Sequence, residues 1–280
     1  MVAGDVTIIQ PVHNPKPAMV CDGTDDYAEI DAFTVARVAA NDTVGTITGW
    51  INVNYTNANQ CMFSSGDDNA VEHLNFGIED GAIHAECKVA TVMKWDIDST
   101  DDNLVTGTGW HHIALVHNGT RPILYHNGVA VAMTDTTATD LTSWYDALTG
   151  GDVGAIGVLN MNSTLTLDSF GGISGVKYFN TALTATQIKD EFKGNGIIVA
   201  TNPVDGATTG LISHWTMDSS NSSSDDDIGG HDGTLTNQAH LVTGYSQLSK
   251  EAKELYVAAG DDWTLTSNEG QLTLLHVEGV

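Results

Sequence analysis

The chain has 280 residues, with 10 Lys plus Arg against 36 Asp plus Glu and a formal net charge of −26. Phosphate backbones are held by Lys and Arg, so this balance argues against nucleic acid as a partner and against an anionic membrane surface. With 41% apolar residues the chain can bury a core, and no apolar run reaches the roughly 18 residues that a membrane helix needs.

Residues 1–19 read as an extended arm. They lack the basic start and long apolar core of a secretory leader, so no export signal is expected. Asp22, Asp25 and Asp26 then crowd one short segment. Glu29 and Asp31 stand two apart, the spacing that places two carboxylates on one face of a strand. A retaining glycosidase needs its two carboxylates about 5–5.5 Å apart. Phe33 and Thr34 stand where a partner Glu would be required, so the expectation is a solvated strand end and no catalytic residue.

Around Trp50, the residues Ile47, Ile51 and Val53 alternate with polar ones, the period of a strand. The same period runs through Leu74, Phe76 and Ile78, and again through Ile83, Ala85, Cys87 and Val89. Between these two runs lies Asp80-Gly81, a hairpin signal. Cys87 falls on the apolar side, where a reduced buried thiol is expected. Three cysteines without a CxxC pair give neither a disulfide framework nor a zinc motif. Asp67-Asp68-Asn69, the stretch holding Asp96, Asp98, Asp101 and Asp102, and Asp225-Asp226-Asp227 read as acidic loops. Trp95, Trp144 and Tyr145 stand in polar, loop-like surroundings. They are the candidate glycan contacts, since lectins stack exposed aromatics on sugar faces. Trp50 and Trp110 are assigned to the core.

In residues 110–117, Trp110, His112, Ala114 and Val116 point one way and His111, Ile113, Leu115 and His117 the other. Asn118-Gly119 reverses the chain into a strand at 123–126, and Asn127-Gly128 supplies the positive φ pair of a type I′ turn. The adjacent pair His111 and His112 face opposite sides. His111 and His117 share a face but lie about 20 Å apart at the usual strand rise, too far to hold one ion. These histidines, with the neighbouring His126, are therefore read as structural and not as ligands of one metal ion. There is no recoverable Ser-His-Asp arrangement and no phosphate loop.

Further strands are expected at 155–159, 164–167 and 173–179. Thr184 and Gln187 have capping-box spacing, Ile188 and Phe192 share a helical face, and Gly194 can end the helix. Residues 195–209 read as a connector, 211–217 as a short strand, and the Ser/Asp-rich run after it as a loop. A second helix is expected at 246–259, with Leu248, Ala252 and Leu255 on one face, and a closing hairpin at 263–280. Many short strands with regular turns make this an all-β protein with a two-sheet antiparallel sandwich.

Five pieces carry a family likeness: CDGTDDYAEI (21–30), TITGWINVN (46–54), GWHHIALVHNG (109–119), LYHNGVAVA (124–132) and FGGISGVKYFNTALTATQI (170–188). In order and spacing they resemble the laminin-G-like jelly rolls of the concanavalin A-like lectin/glucanase superfamily, which also holds the pentraxins. The resemblance implies a jelly-roll sandwich over residues 20–195, with one concave sheet and one or two short helices. It places Glu29 on an opening edge strand, not on a catalytic one. Residues 210–235 resemble the segment that normally opens such a domain, yet here they follow it. Residues 196–280 are thus either a truncated second module or a segment that folds back to complete the first sandwich. The second arrangement is preferred, because a lone fragment of about 70 residues leaves sheet edges uncovered.

In the pentraxins an Asp-Asn pair helps hold calcium, and Asp68-Asn69 is similar. That family's later acidic ligands fall near Val158, Leu159, Asn160, Met161 and Asn162, where no carboxylate stands, and Ser174 replaces a common Asp. Calcium wants six to eight oxygens. The candidate ligands for it are Asp22, Asp25, Asp26, Asp68 and Asn69, with no cofactor required.

The functional expectation is a non-enzymatic structural or adhesion protein on a virion surface: a phage decoration, fibre or tail-associated component. Laminin-G-like domains work outside cells, and a chain that starts at Met1 without a leader can reach the outside by lysis. A Lys-poor acidic surface suits seawater. Partners would be further copies of the chain, capsid or tail proteins, and a glycan. The alternatives are an extracellular carbohydrate-binding lectin-like module and a degenerate glycoside hydrolase.

Overall fold

The structure, a computed structural model, describes residues 16–53, 59–101, 109–193, 210–217, 223–237 and 239–245. The chain divides into units 1–247 and 248–280; the second unit lies outside the described residues, as do the helix expected at 246–259, the hairpin at 263–280 and the connector at 195–209.

Strands β1 (Lys16–Asp22) and β2 (Tyr27–Glu29) lead into helix α1 (Asp31–Ala40), followed by β3 (Gly45–Val53), β4 (Gln60–Asp67), β5 (Ala70–Glu79), β6 (Ala82–Val89) and β7 (Val92–Ser99). Next come β8 (His111–His117), β9 (Pro122–His126), β10 (Val129–Ala130), β11 (Met133–Ala138) and a 3-10 turn (Tyr145–Ala147). Strands β12 (Val153–Ile156), β13 (Leu159–Met161), β14 (Thr164–Thr166) and β15 (Phe170–Phe179) precede helix α2 (Ala185–Phe192). The last are β16 (Leu211–Trp215), β17 (Ser223–Ser224), β18 (Gly233–Thr236) and β19 (His240–Tyr245).

These strands build two large antiparallel sheets in a jelly-roll sandwich. An eight-stranded sheet runs β10-β9-β8-β3-β15-β1-β19, with β16 also on β15, and a nine-stranded sheet runs β11-β7-β6-β5-β4-β12-β2-β18-β17. One edge of β15 is shared: β1 takes its first residues through Met19↔Ile173, and β16 takes its last through Val176↔Trp215. Strand β18 pairs with β2 and β19 with β1, so the segment from 211 to 245 is hydrogen-bonded into both sheets.

Local sequence chemistry sets the hairpins. Asp80-Gly81 and Asn127-Gly128 each take two positive φ values, 49° then 88° and 49° then 80°, the requirement of a type I′ turn. The Asn127 Oδ1 accepts the His112 N–H at 3.0 Å, and a Cβ on Gly128 would stand 3.0 Å from the Phe192 Cβ of α2. At the other turn only Gly119 is left-handed; Asn118 acts through its Oδ1, which accepts the N–H groups of Thr120 and Arg121.

The segment after Glu29 departs from the expected strand end. The chain turns into α1, so that Ile30 and Phe33 are both buried. Asp31 opens the first helical turn, where a carboxylate is favoured, and its Oδ1 accepts the Gly154 N–H at 2.8 Å. The Phe33 ring meets Tyr178 and Trp215 edge-on, each at 5.1 Å. Such arrangements suit the ring quadrupoles.

The core also corrects the aromatic expectation. Trp95, Trp144 and Tyr145 are each 0% exposed. Residue 95 is not in a loop but on β7, where it faces inward together with Ile97. The polar tips are satisfied inside: the Trp95 Nε1–H donates to the Ser143 carbonyl at 2.8 Å, Trp144 Nε1–H to the Tyr178 hydroxyl at 3.3 Å, and the Tyr145 hydroxyl bonds Ser65 Oγ at 2.7 Å. With those bonds made, whole rings can leave water, and none of the three can stack on a sugar. Trp110 is buried as expected. Trp50 is only half-buried. It sits on the outer face of the eight-stranded sheet, stacked on Phe192 at 5.7 Å and edge-on to His112 at 5.3 Å.

Helix α2 covers that outer face. Ala114, Val116, Tyr125 and Phe179 of the sheet form a second apolar cluster with Leu183 and Ile188. The helix begins with the expected capping box between Thr184 and Gln187. A buried ion pair, Lys177 Nζ to Glu191 Oε2 at 2.7 Å, ties it down.

Candidate functional site

On β5, β6 and β7 the inward residues are Leu74, Phe76 and Ile78, then Ile83, Ala85 and Cys87, then Trp95 and Ile97. Strand alternation therefore sends His73, Asn75, Glu79, His84, Glu86, Lys88, Asp96 and Asp98 to the outer face of the nine-stranded sheet. The register aligns them in rows: Asn75 opposite Glu86 opposite Asp96, and His84 opposite Asp98.

The contacts are short. His73 Nε2 lies 2.9 Å from Glu86 Oε1. Three carboxylates converge on one edge of one imidazole: His84 Nδ1 stands 2.9 Å from Asp98 Oδ1, 3.2 Å from Glu79 Oε2 and 3.8 Å from Asp96 Oδ1. The Thr136 hydroxyl donates to Asp98 Oδ2 at 3.3 Å. His73 and Asn75 are 2% exposed, yet His73 Nδ1 and Asn75 Oδ1 have no hydrogen-bond partner among the described residues. Side-chain exposure rises from 15% at Glu86 to 26% at Asp98 and 42% at Glu79, so the patch opens to solvent on the Glu79 side.

The electrostatics follow from this crowding. Burial opposes charge on His84, but the Asp98 hydrogen bond and the charges of Glu86, Asp98 and Glu79 outweigh it and raise its pKa. Burial would raise Glu86, and the His73 hydrogen bond with the charges of His73 and His84 overrides it and holds this carboxyl low. Asp96 is raised, chiefly by burial, with Asp98, Glu86 and Glu79 adding to it and His84 opposing.

Elsewhere the sequence-derived candidates fall as follows. Asp22, Asp25 and Asp26 do come together, their ligand atoms within 4.8 Å of one another. The loop closes on itself, with the Asp22 N–H donating to Asp26 Oδ2 at 3.0 Å. Asp68 and Asn69 sit apart from them in the tight turn between β4 and β5, where the Asn69 N–H donates to Asp67 Oδ1 at 2.6 Å and the Asp68 N–H to Asp152 Oδ1 at 2.8 Å. They join no group of three ligand-bearing His, Cys, Asp or Glu among the described residues. Glu29 ends β2 while Asp31 begins α1, so the two do not share a strand. His117 is stacked on Trp144 at 5.0 Å. His111 and His126, which the sequence left as separate structural residues, meet at 2.9 Å between ring nitrogens. Burial, and then the neighbouring His126, push His111 down to about 4. All three cysteines are buried free thiols; burial raises each of them, so none is a nucleophile.

The outer-face cluster was missed because Asp96 and Asp98 were assigned to a loop. The signal was present: Trp95 and Ile97 alternate with Lys94, Asp96 and Asp98, the period of a half-buried strand.

A family profile described as the concanavalin A-like lectin/glucanases superfamily matches residues 22–189. No curated protein sequence matches the chain. Among solved structures, the CBM40 of Ruminococcus gnavus IT-sialidase superposes with a TM-score of 0.53 at 18% identity, over 65% of this chain and 99% of that one. That module has also been determined bound to α2,3- and α2,6-sialyllactose. The leech intramolecular trans-sialidase gives 0.51 at 17% identity, over 68% of this chain and 30% of that one. The NanB sialidase of Streptococcus pneumoniae gives 0.51 at 16%, over 68% and 29%. At these identities the likeness establishes the fold.

Proposed function

The chain belongs to the concanavalin A-like lectin/glucanases superfamily, and from that premise we propose that it is a non-catalytic carbohydrate-binding module whose sugar rests on the outer face of the nine-stranded sheet. The observation that supports this is the outer-face cluster of Glu86 opposite Asp96 and His84 opposite Asp98, with its open side at Glu79. Carboxylates and imidazoles held on rigid strands accept and donate to sugar hydroxyls without ordering a loop first.

The charge argues for a neutral sugar. A sialic acid carboxylate calls for a guanidinium fork, and both arginines of the chain are engaged: Arg37 with Asp42 at 3.3 Å and Arg121 with Asp135 at 2.8 Å. Four carboxylates with Lys88 would repel an anionic glycan. No reaction is assigned to the module, since the carboxylate pair offered by the sequence is divided between β2 and α1. The test is a glycan array carrying neutral and sialylated sugars, run in chelator. Binding to neutral glycans that weakens at least tenfold in Asp96→Asn supports the reading. Binding to sialylated sugars alone, or binding indifferent to that substitution, contradicts it.

The setting we propose is a virion surface, supported by the net charge of −26 and by the gain in avidity that an array of weak sugar modules provides. Co-sedimentation of the chain with intact particles is the expected result, and recovery only as unattached protein would contradict it.

A further inference from the structure

We propose that Glu79, His84 and Asp98 hold a divalent transition-metal ion of the zinc or manganese class. The inference does not depend on the carbohydrate reading. It starts from the valence of one atom. An imidazole nitrogen carries either one proton or one lone pair, yet carboxylate oxygens from three residues stand 2.9, 3.2 and 3.8 Å from His84 Nδ1. One N–H serves one of them well. A cation among them takes the imidazole lone pair and the Glu79 and Asp98 oxygens at once.

The spacing is that of a coordination shell. Ligand atoms about 2.1 Å from an ion lie about 3.0 Å apart at right angles and about 3.4 Å apart at tetrahedral angles. The His84–Asp98 and His84–Glu79 separations of 2.9 and 3.2 Å fall there, and the ligand atoms of Glu79, His84 and Asp98 all lie within 4.8 Å of one another. The donors come from three adjacent strands, β5, β6 and β7, which fix their positions. Thr136 holds the second oxygen of Asp98 at 3.3 Å, the kind of outer contact that orients a metal-binding carboxylate.

A second observation points the same way. Along the same face, Asn75 Oδ1 one row from His84 and His73 Nδ1 two rows away have no hydrogen-bond partner among the described residues, on residues 2% exposed. Buried polar atoms are almost always satisfied, so unmet groups beside the cluster mark a face completed by something other than protein, such as an ion and its ordered waters. The donor set selects the ion. Calcium and magnesium take oxygen ligands, whereas an imidazole among carboxylates suits zinc or manganese. The all-oxygen group of Asp22, Asp25 and Asp26 serves as the internal control.

The full chain, stripped with chelator, is titrated calorimetrically with Zn2+, Mn2+ and Ca2+. One Zn2+ or Mn2+ per chain is expected, with affinity falling at least tenfold in His84→Gln and in Glu79→Gln and unchanged in Asp22→Asn. Glu79 is the most exposed ligand, so its variant keeps the fold if His84→Gln does not. Electron paramagnetic resonance of bound Mn2+ should show nitrogen coupling that Glu79→Gln retains and His84→Gln removes. Absence of Zn2+ and Mn2+ binding, undiminished affinity in Glu79→Gln, or loss in Asp22→Asn would overturn the proposal. Glycan binding in chelator is read separately, so either inference can fail while the other stands.

Discussion

On the outer face of the eight-stranded sheet, strand alternation exposes Ala114, Val116, Tyr125 and Phe179, and α2 lies over them with Leu183 and Ile188. On the outer face of the nine-stranded sheet the same alternation delivers Asn75, Glu86, Asp96, His84 and Asp98. The pleat is identical, and only the side-chain chemistry differs. An apolar outer face has to be covered by another element, as α2 covers this one. A polar one can remain networked and open to a ligand. The two faces therefore divide the labour: one builds the domain, the other is available for recognition.

The largest effect that sharpens this division lies between the faces, in the core. Trp95→Ala should cost about 3–5 kcal/mol, read as a lower urea midpoint, because its ring is 0% exposed. Unchanged stability with lost sugar binding would return Trp95 to the surface. Next comes the tie beneath α2. Glu191→Gln leaves Lys177 buried without its partner and should cost about 3 kcal/mol, with no change at the polar face.

Acid should act through the eight-stranded sheet. His111 is depressed from 6.5 to about 4 by burial and by His126, and His126 and His117 are depressed chiefly by burial. An unfolded chain binds these protons first, so the stability they contribute is full above about pH 6.5 and is lost as pH falls toward 4. The melting temperature of wild type should drop over that window, and His111→Gln should flatten the drop. A slope of the opposite sign would refute the assignment. The smallest effect is Thr184→Ala, which removes the capping box and should cost about 1 kcal/mol, measured by thermal unfolding.

Local rules made much of the fold legible. Asp80-Gly81 and Asn127-Gly128 specify positive φ within two residues, and the structure has both. The capping box of α2 is equally local. Helix α1 was hidden because its sequence, DAFTVARVAA, mixes β-branched residues into a short helix; contacts of Phe33 with distant rings decide it. Strand β7 was hidden by its acids, which resemble a loop when counted and a strand only when their alternation with Trp95 and Ile97 is followed. The polar cluster was the least legible feature. Glu79, His84 and Asp98 stand on three strands, and their meeting depends on the register of β5 on β6 and of β6 on β7, which no single stretch of sequence encodes.

The claim that the polar face is the recognition surface is tested most directly by calorimetric titration of a neutral glycan from the array into wild type, Asp96→Asn and Thr184→Ala. The account predicts binding to wild type and to the α2 variant alike, and at least a tenfold loss in Asp96→Asn. Equal affinity in all three, or a loss confined to the α2 variant, would contradict it.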